Sequence, residues 1–250
     1  MHRFHVVPSA VGGPVVTLPE AESHHAARVL RVQVGERVTV LDGAGQQLLC
    51  DVSAVTKRAV TLAVRERNSL PPLPYRLTLL QAIPKGRLMD DIVEKATELG
   101  AACIVPMITE RTISQPEGGG AAAKVTKWQA TAVEALKQCG SAWLPRVAAP
   151  VTLRDFLTRG EAFDLLLVAS LHTGARPVRE LLQQHRCEQG RAPVNVAVWI
   201  GPEGDFTAAE LAALAAAGAQ AMTLGPLVLR CATAAIAALA VVGSELQSGA

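Results

Sequence analysis

The residues best suited to chemistry in this chain are charged side chains set among glycines and prolines towards its end. Glu203 and Asp205 stand in residues 200–205 (IGPEGD), and Arg230 ends residues 224–230 (LGPLVLR). A carboxylate can accept a proton, and a guanidinium stays charged and can stabilise a developing anion. Glycine has no Cβ, so the backbone around it can approach a ligand closely. We therefore expect the two segments to form a ligand site.

A third segment of this kind, residues 169–174 (ASLHTG), contains His172 and also follows an apolar run. In an open parallel sheet, ligands bind at the carboxyl ends of the strands. The chain has neither the pattern G-x-G-x-x-G nor G-x-x-x-x-G-K-[ST], which disfavours a dinucleotide site and a P-loop. Three alternatives stay open. The segments could be tight turns that bind no ligand, Glu203 could complement the dipole at a helix N-terminus, and Arg230 could form a surface ion pair.

The elements that must position these segments change character at a proline-rich connector, residues 68–74 (NSLPPLP). Before it, short β-like runs dominate, with one helical stretch at 22–30. After it, continuous apolar runs alternate with helical patterns, which indicates a parallel sheet covered on both faces. We predict a small β-barrel over residues 1–70 and an α/β domain over residues 75–250.

The helix that follows residue 206 carries the clearest local signal. Thr207 and Glu210 have the spacing of a capping box, and Phe206 and Leu211 have the spacing of a hydrophobic staple around it. We expect a helix that begins at this point.

The last helix, residues 231–246, has almost no polar stripe. Because a sheet would cover only one side of it, we expect a homodimer through this helix, with Ala238 and Val242 in the contact. A central core helix in a monomer is the alternative.

Composition limits the classes of protein that the chain can be. Of its 250 residues 50% are hydrophobic and 18% charged, which excludes a disordered chain. The net charge of the whole chain, +2, does not indicate a nucleic-acid-binding protein. The charge is unevenly distributed, however: residues 1–75 carry +2 and residues 116–160 carry +3, whereas residues 161–250 carry −3. This distribution favours a polyanion contact in the first two segments, with ordinary solvated faces as the alternative.

The five cysteines form no C-x-x-C and predict neither disulfides nor a metal site. No apolar run has the length of a signal peptide or a membrane span, so we expect a cytoplasmic protein.

Several of these motifs together resemble a known family. Residues 200–204 with Phe206, Thr207 and Glu210, and residues 224–225 with Leu229 and Arg230, resemble the SPOUT methyltransferases. Within them the chain is most similar to the RsmE family, which methylates N3 of a uridine in small-subunit ribosomal RNA. Further matches lie upstream, at His24, His25, residues 29–31, Gly35, residues 84–86, 89–90 and 95–100, Pro106, residues 138–140 and Pro145.

The resemblance implies a PUA-like RNA-binding β-barrel followed by a SPOUT domain with a mainly parallel sheet and a trefoil knot. It also implies S-adenosyl-L-methionine (SAM) as cofactor, a homodimer, and 16S rRNA or the assembled small ribosomal subunit as partner. The cofactor-binding residues carried over from it are Gly201, Glu203, Gly204, Leu224, Gly225 and Leu229.

The chemistry of N3 methylation needs a group that accepts the N3 proton or stabilises the uracil anion. Arg230 is the candidate cation, and Glu203 or Asp205 the candidate to orient or accept the proton. The candidate RNA-binding residues are His24, His25, Arg28, Arg31, Lys85 and Arg87. The alternative is that these side chains are exposed to solvent and bind nothing.

The chain departs from the family pattern at three positions. Asp205 replaces a glycine, Ala232 replaces a glutamate, and Ser141 replaces an arginine. The missing glutamate motivates one alternative, an RNA-binding relative with weakened or lost catalysis. A ribose 2′-O-methyltransferase on the same scaffold is a second, separate alternative.

Overall fold

The computed structural model describes residues 1–113 and 120–248. The chain divides into two units, one formed by Met1–Pro72 with Val133–Leu144 and the other by Leu73–Ala132 with Pro145–Ala250. Each unit has its own sheet.

The first unit contains a mixed five-stranded sheet in the order β1-β3-β4-β5-β2. Its strands are β1 (Arg3–His5), β2 (Val15–Thr17), β3 (Arg37–Leu41), β4 (Gln46–Val55) and β5 (Val60–Ser69). Only the β1–β3 pair is parallel, and two register shifts between β4 and β5 mark bulges, which sharpen the twist of a sheet. This half-barrel confirms the strand-rich prediction for the start of the chain.

A short helix in this unit has an unusual second half. Helix α1 (Glu20–His24) continues directly into a π-helical turn (His25–Leu30). The turn ends at Arg31, which adopts a left-handed conformation with φ of 55°. The sequence predicted a helix here but gave no sign of the π geometry.

The second unit is an α/β domain whose paired strands are all parallel, which confirms the predicted α/β domain with a mainly parallel sheet. Its order is β12-β10-β11-β6-β7-β8, and β9 also pairs with β7. The strands are β6 (Arg76–Ala82), β7 (Cys103–Ile108), β8 (Arg146–Val147), β9 (Val151–Thr152), β10 (Leu165–Ala169), β11 (Asn195–Ile200) and β12 (Gln220–Met222). The remaining helices of the chain are α2 (Leu88–Glu98), α3 (Gly120–Cys139), α4 (Leu153–Thr158), α5 (Val178–Gln189), α6 (Ala208–Ala216) and α7 (Cys231–Gln247). The trefoil knot stays a prediction.

Aromatic side chains fill one face of this sheet at the centre of the unit. Trp199 is fully buried and meets Phe156 edge-on, with 5.3 Å between ring centroids. Phe206 lies against the same indole at 6.4 Å. Because Trp199 and Phe206 flank residues 200–205, this cluster fixes the base of the loop that follows β11.

Helix α7 packs against α2, β6 and β11 in the same unit. Ala238 and Val242 are both 0% exposed within a single chain. The expectation that these two residues face a second copy is therefore wrong: they face the interior of their own chain. The exposed positions of the helix are Thr233, Ala240, Val241, Ser244 and Gln247.

Candidate functional site

A cavity of about 310 Å³ lies at the carboxyl ends of three neighbouring strands, β10, β11 and β12. Its lining comes from the three glycine- and proline-containing segments singled out in the sequence. The volume falls at the lower end of the range for small-molecule sites. The sequence therefore predicted correctly that these segments meet.

Six of the predicted site residues line this cavity: Gly201, Glu203, Asp205, Leu224, Leu229 and Arg230. Gly204 and Gly225, also predicted to bind the cofactor, adjoin the lining without being part of it. His172 lies in the same loop as Ser170 but outside the lining as well. The assignment of cofactor contacts to individual residues stays a prediction.

Gly201 is closely packed against the loop that follows it. A Cβ at this position would lie 3.0 Å from Oδ1 of Asp205 and 3.3 Å from two ring carbons of Phe206. Contacts this short force the neighbours to move. The absence of a side chain at Gly201 thus keeps both the loop and the cavity wall in place.

Asp205 adopts the left-handed conformation, with φ of 59°. Glycine takes this conformation without strain, and aspartate tolerates it better than most residues. That geometry explains why a glycine is typical at this position and why an aspartate can replace it. Oδ1 of Asp205 accepts a hydrogen bond from the amide of Phe206 at 2.8 Å.

Glu203 connects two loops at this edge of the sheet. Its Oε1 accepts a hydrogen bond from the backbone amide of Lys85 at 3.0 Å and lies 4.0 Å from Sγ of Cys231. Burial, together with the negative charge of Glu203, raises the pKa of the Cys231 thiol. The thiol is therefore neutral at physiological pH, and Glu203 supplies charge and position.

Arg230 is the N-cap residue that directly precedes α7, and its backbone is extended. Its side chain is exposed and belongs to the cavity lining, as do the exposed carboxylates of Glu203 and Asp205. The site thus combines one fixed cation with two carboxylates. Such a set can orient a charged ligand, accept a proton and stabilise an anion.

Several cavity residues escaped the sequence analysis as individual candidates: Ser170, Leu171, Leu227, Val228, Cys231 and Ala234. Three of them are apolar and strongly exposed, namely Leu171 at 54%, Leu227 at 72% and Val228 at 82%. The exposure of a leucine or valine cannot be read from the sequence, because apolar residues in a loop look the same whether they are covered or not.

The loop that follows β7 supports the site from the side. Arg111 donates a hydrogen bond to the carbonyl of Gly204, and its aliphatic stem would lie 3.2 Å from a Cβ at that glycine. The amide of Glu110 donates to Oε1 of Glu210 at 2.9 Å. Glu210 also completes the capping box with Thr207, which confirms that prediction.

The candidate RNA-binding residues of the first unit lie on α1 and its π turn. His24, Arg28 and Arg31 are exposed, and His25 is half-buried. Val29 in the same turn is 62% exposed, so this surface is partly apolar. Single π turns inside helices often occur at functional sites.

The other two candidates, Lys85 and Arg87, are exposed in the loop between β6 and α2. Of the basic segment 116–160, residues 116–119 lie outside the described part of the chain.

Within residues 1–113 and 120–248, no group of three or more potential ligands could hold a metal ion. None of the helices in those same ranges combines the length and apolarity that a membrane span needs.

Comparison with known proteins places the chain among enzymes of one class. A family model described as "RNA methyltransferase domain" matches residues 71–243, and a second, "RNA methyltransferase PUA domain", matches residues 18–65. A Synechocystis protein named ribosomal RNA small subunit methyltransferase E is 36% identical over 253 residues, covering 99% of this chain and 78% of that protein. A Mycobacterium bovis protein of the same name is 32% identical, covering 92% and 87%.

Solved structures agree with these sequence matches. A Legionella pneumophila methyltransferase in complex with SAM has a TM-score of 0.86 and 30% identity, with 97% of this chain and 96% of that chain covered. A ribosomal RNA small subunit methyltransferase E from Neisseria gonorrhoeae bound to SAM has a TM-score of 0.85 and 29% identity, with 98% and 97% covered. The chain belongs to the ribosomal RNA small subunit methyltransferase E family, which confirms the resemblance seen in its motifs.

Proposed function

We propose that this protein transfers the methyl group of SAM to N3 of a uridine in small-subunit (16S) ribosomal RNA. The observation that carries the proposal is the cavity at the carboxyl ends of β10, β11 and β12, in which Glu203, Asp205 and Arg230 come together. Membership of the small-subunit methyltransferase E family supports this function over the two alternatives. The cytoplasm, where ribosomal subunits are made, is the proposed location.

The cavity fits the chemistry of SAM. Its apolar wall, which includes Ile200, Leu227 and Leu229, suits an adenine ring. The carboxylates of Glu203 and Asp205 suit the sulfonium and ammonium charges of the cofactor. The missing side chain at Gly201 leaves room for Asp205 and Phe206, which hold the loop at this end of β11.

When bound, SAM supplies a methyl group activated by its positively charged sulfur. The protein has to remove the N3 proton, whose pKa lies well above neutrality. We assign proton acceptance to Glu203, whose Oε1 is held by the amide of Lys85, with Asp205 as the second candidate. Arg230 stabilises the uracil anion, because a guanidinium stays charged and can bind a carbonyl oxygen.

The RNA is proposed to bind on the exposed basic surface of the first unit, made by His24, His25, Arg28 and Arg31, and on Lys85 and Arg87 in the second. Replacing Arg28 by alanine should weaken binding to small subunits about threefold to tenfold and reduce its salt dependence by about one counterion. Lys57→Ala, an exposed cation on the β4–β5 turn, is the control. Equal losses in both variants would show only a general effect of charge.

A second copy of the chain is proposed to cover the exposed side of α7. Val241 on this side is 45% exposed, and the cavity residues Leu227 and Val228 are more so. An isologous contact of two α7 helices would remove Val241 from water. Sedimentation should give twice 26.2 kDa for the wild type, and Val241→Glu should dissociate it. A wild-type mass near 26.2 kDa contradicts the dimer.

The function is tested with small ribosomal subunits from a strain that lacks the modification. Incubation with the protein and SAM should produce N3-methyluridine, detected by mass spectrometry of the nucleosides, and Arg230→Ala should abolish it. A 2′-O-methylated nucleoside would indicate the ribose alternative instead. Cofactor binding without any transfer would indicate the non-catalytic alternative, in line with the absent glutamate at Ala232.

A further inference from the structure

We infer that Asp205 makes the cavity selective for a positively charged cofactor, so that SAM binds more tightly than its neutral-sulfur product, S-adenosylhomocysteine. The inference rests on the proposed function, because it concerns the same cavity and the same cofactor. It assigns Asp205 a role in specificity that does not depend on which carboxylate accepts the N3 proton.

The carboxylate of Asp205 is held in a fixed place. The amide of Asp205 donates to the carbonyl of Pro202 at 2.9 Å, and its Oδ1 accepts from the amide of Phe206 at 2.8 Å. Oδ1 also lies 3.0 Å from the position that a Cβ of Gly201 would take. The carboxylate therefore stands directly over the end of β11, in the lining of the cavity.

The charges of the cavity lining do not balance. Four side chains of the lining can ionise: Glu203, Asp205, Arg230 and Cys231. Cys231 is neutral, because its pKa is raised by burial and by Glu203. Two carboxylates and one guanidinium leave one negative charge for the ligand to neutralise. The carboxylate of Glu203 already accepts a hydrogen bond from the amide of Lys85 in another loop, whereas the carboxylate of Asp205 accepts one from the amide of the next residue, Phe206.

Methyl transfer changes the charge of the ligand in this cavity. The bond between sulfur and the methyl carbon breaks, its electron pair stays on sulfur, and a bond forms between the carbon and N3. The N3 proton leaves to the base, and the sulfonium becomes a neutral thioether. A fixed carboxylate attracts the sulfonium but not the thioether, so Asp205 favours binding of SAM and release of the product.

The test is a calorimetric titration of the full chain with SAM and with S-adenosylhomocysteine. Asp205→Asn removes the charge but keeps the side-chain oxygen for Phe206 and tolerates the left-handed backbone. We expect its affinity for SAM to fall about fivefold and that for the product to change less than about twofold. Glu161→Gln, an exposed carboxylate before β10, should leave both affinities unchanged.

A second variant tests whether the effect of Asp205→Asn comes from the lost charge and not from misfolding. Asp205→Gly removes the same charge and relaxes the backbone, so it should show the same loss of selectivity. Higher salt should reduce the preference of the wild type for SAM. If both variants keep the wild-type ratio of the two affinities, whether or not the affinities themselves fall, the inference is overturned. If the wild type binds neither ligand, the proposed function fails and the inference fails with it.

Discussion

The two ends of the parallel sheet use the same side chain in opposite ways. At the amino end, Asp164 binds Arg191 at 2.6 Å and accepts the amides of Val194 and Asn195 at 2.8 and 2.9 Å. At the carboxyl end, Asp205 accepts one amide, that of the next residue. Asp164 lies in the connection before β10, and Asp205 lies in the loop after β11.

This difference separates a structural carboxylate from one that can act on a ligand. The Arg191 guanidinium and, after it, the two backbone amides hold the pKa of Asp164 well below its usual range. Both oxygens of Asp164 are engaged, so it joins the starts of β10 and β11 and offers little to a ligand. The carboxylates of the carboxyl end lie in a cavity lining and are exposed. We therefore expect chemistry at carboxylates whose oxygens can still accept a hydrogen bond or a proton from a ligand.

The largest expected effect is the loss of cofactor binding on changing Gly201 to valine. The new side chain would collide with Asp205 and Phe206 and displace the wall of the cavity. We expect SAM affinity, measured by calorimetry, to fall about a hundredfold. Gly174→Val is the matched control, because a Cβ there meets nothing within 4 Å. Unchanged SAM affinity in Gly201→Val would mean that the cavity is not the cofactor site, and similar losses in both variants would mean that the effect is not specific to Gly201.

A smaller effect on SAM affinity is expected from Glu203→Gln. Glutamine keeps an oxygen for the amide of Lys85, so the loop stays in place while the negative charge is lost. The turnover number should fall about a hundredfold and SAM affinity much less. Glu188→Gln, an exposed carboxylate on α5, serves as control. If turnover survives here but falls in Asp205→Asn, the proton acceptor is Asp205.

At the amino end, Asp164→Asn should lower stability instead of activity. Loss of the charged hydrogen bonds should reduce the free energy of unfolding by about 2 kcal/mol at pH 7. Because folding lowers the pKa of Asp164, its stabilisation is present above the unfolded pKa of about 3.9 and is lost as pH falls towards the folded value.

Urea denaturation at pH 7 and at pH 3 measures this change. The difference between the wild type and Asp164→Asn should narrow at the lower pH, and SAM affinity should stay within about twofold at pH 7. A large loss of cofactor affinity in Asp164→Asn would contradict the claim that the carboxylate at the amino end of the sheet is structural.

Much of the fold could be predicted because its signals are local. Continuous apolar runs, such as those of β6 and β11, indicate buried parallel strands, and a proline-rich connector separates them from the strands of the first unit. The three loop segments of the site also carry their own glycines and prolines. Sequence spacing was enough to place the capping box of Thr207 and Glu210.

What the sequence could not supply depends on contacts between distant residues. Glu203 meets the amide of Lys85 across 118 positions, and Arg111 meets Gly204 across 93. The prediction of which residues of α7 face outwards was wrong for a related reason. A helix rich in alanine has no periodicity that distinguishes Ala238, which is buried, from Ala240, which is exposed.

The smallest expected effect concerns a residue of the carboxyl end that is structural. Oγ1 of Thr207 accepts the amide of Glu210 at 3.2 Å and caps α6. Thr207→Ala should lower the free energy of unfolding by about 1 kcal/mol and leave SAM affinity within about twofold. Thr152→Ala, which removes the similar cap of α4, is the matched comparison, with Oγ1 accepting from Asp155 at 3.0 Å. Equal stability losses and unchanged affinity in both variants would show that the cavity depends on its own lining and not on the helix start beside it. A selective loss of affinity in Thr207→Ala would instead extend the functional site into the cap.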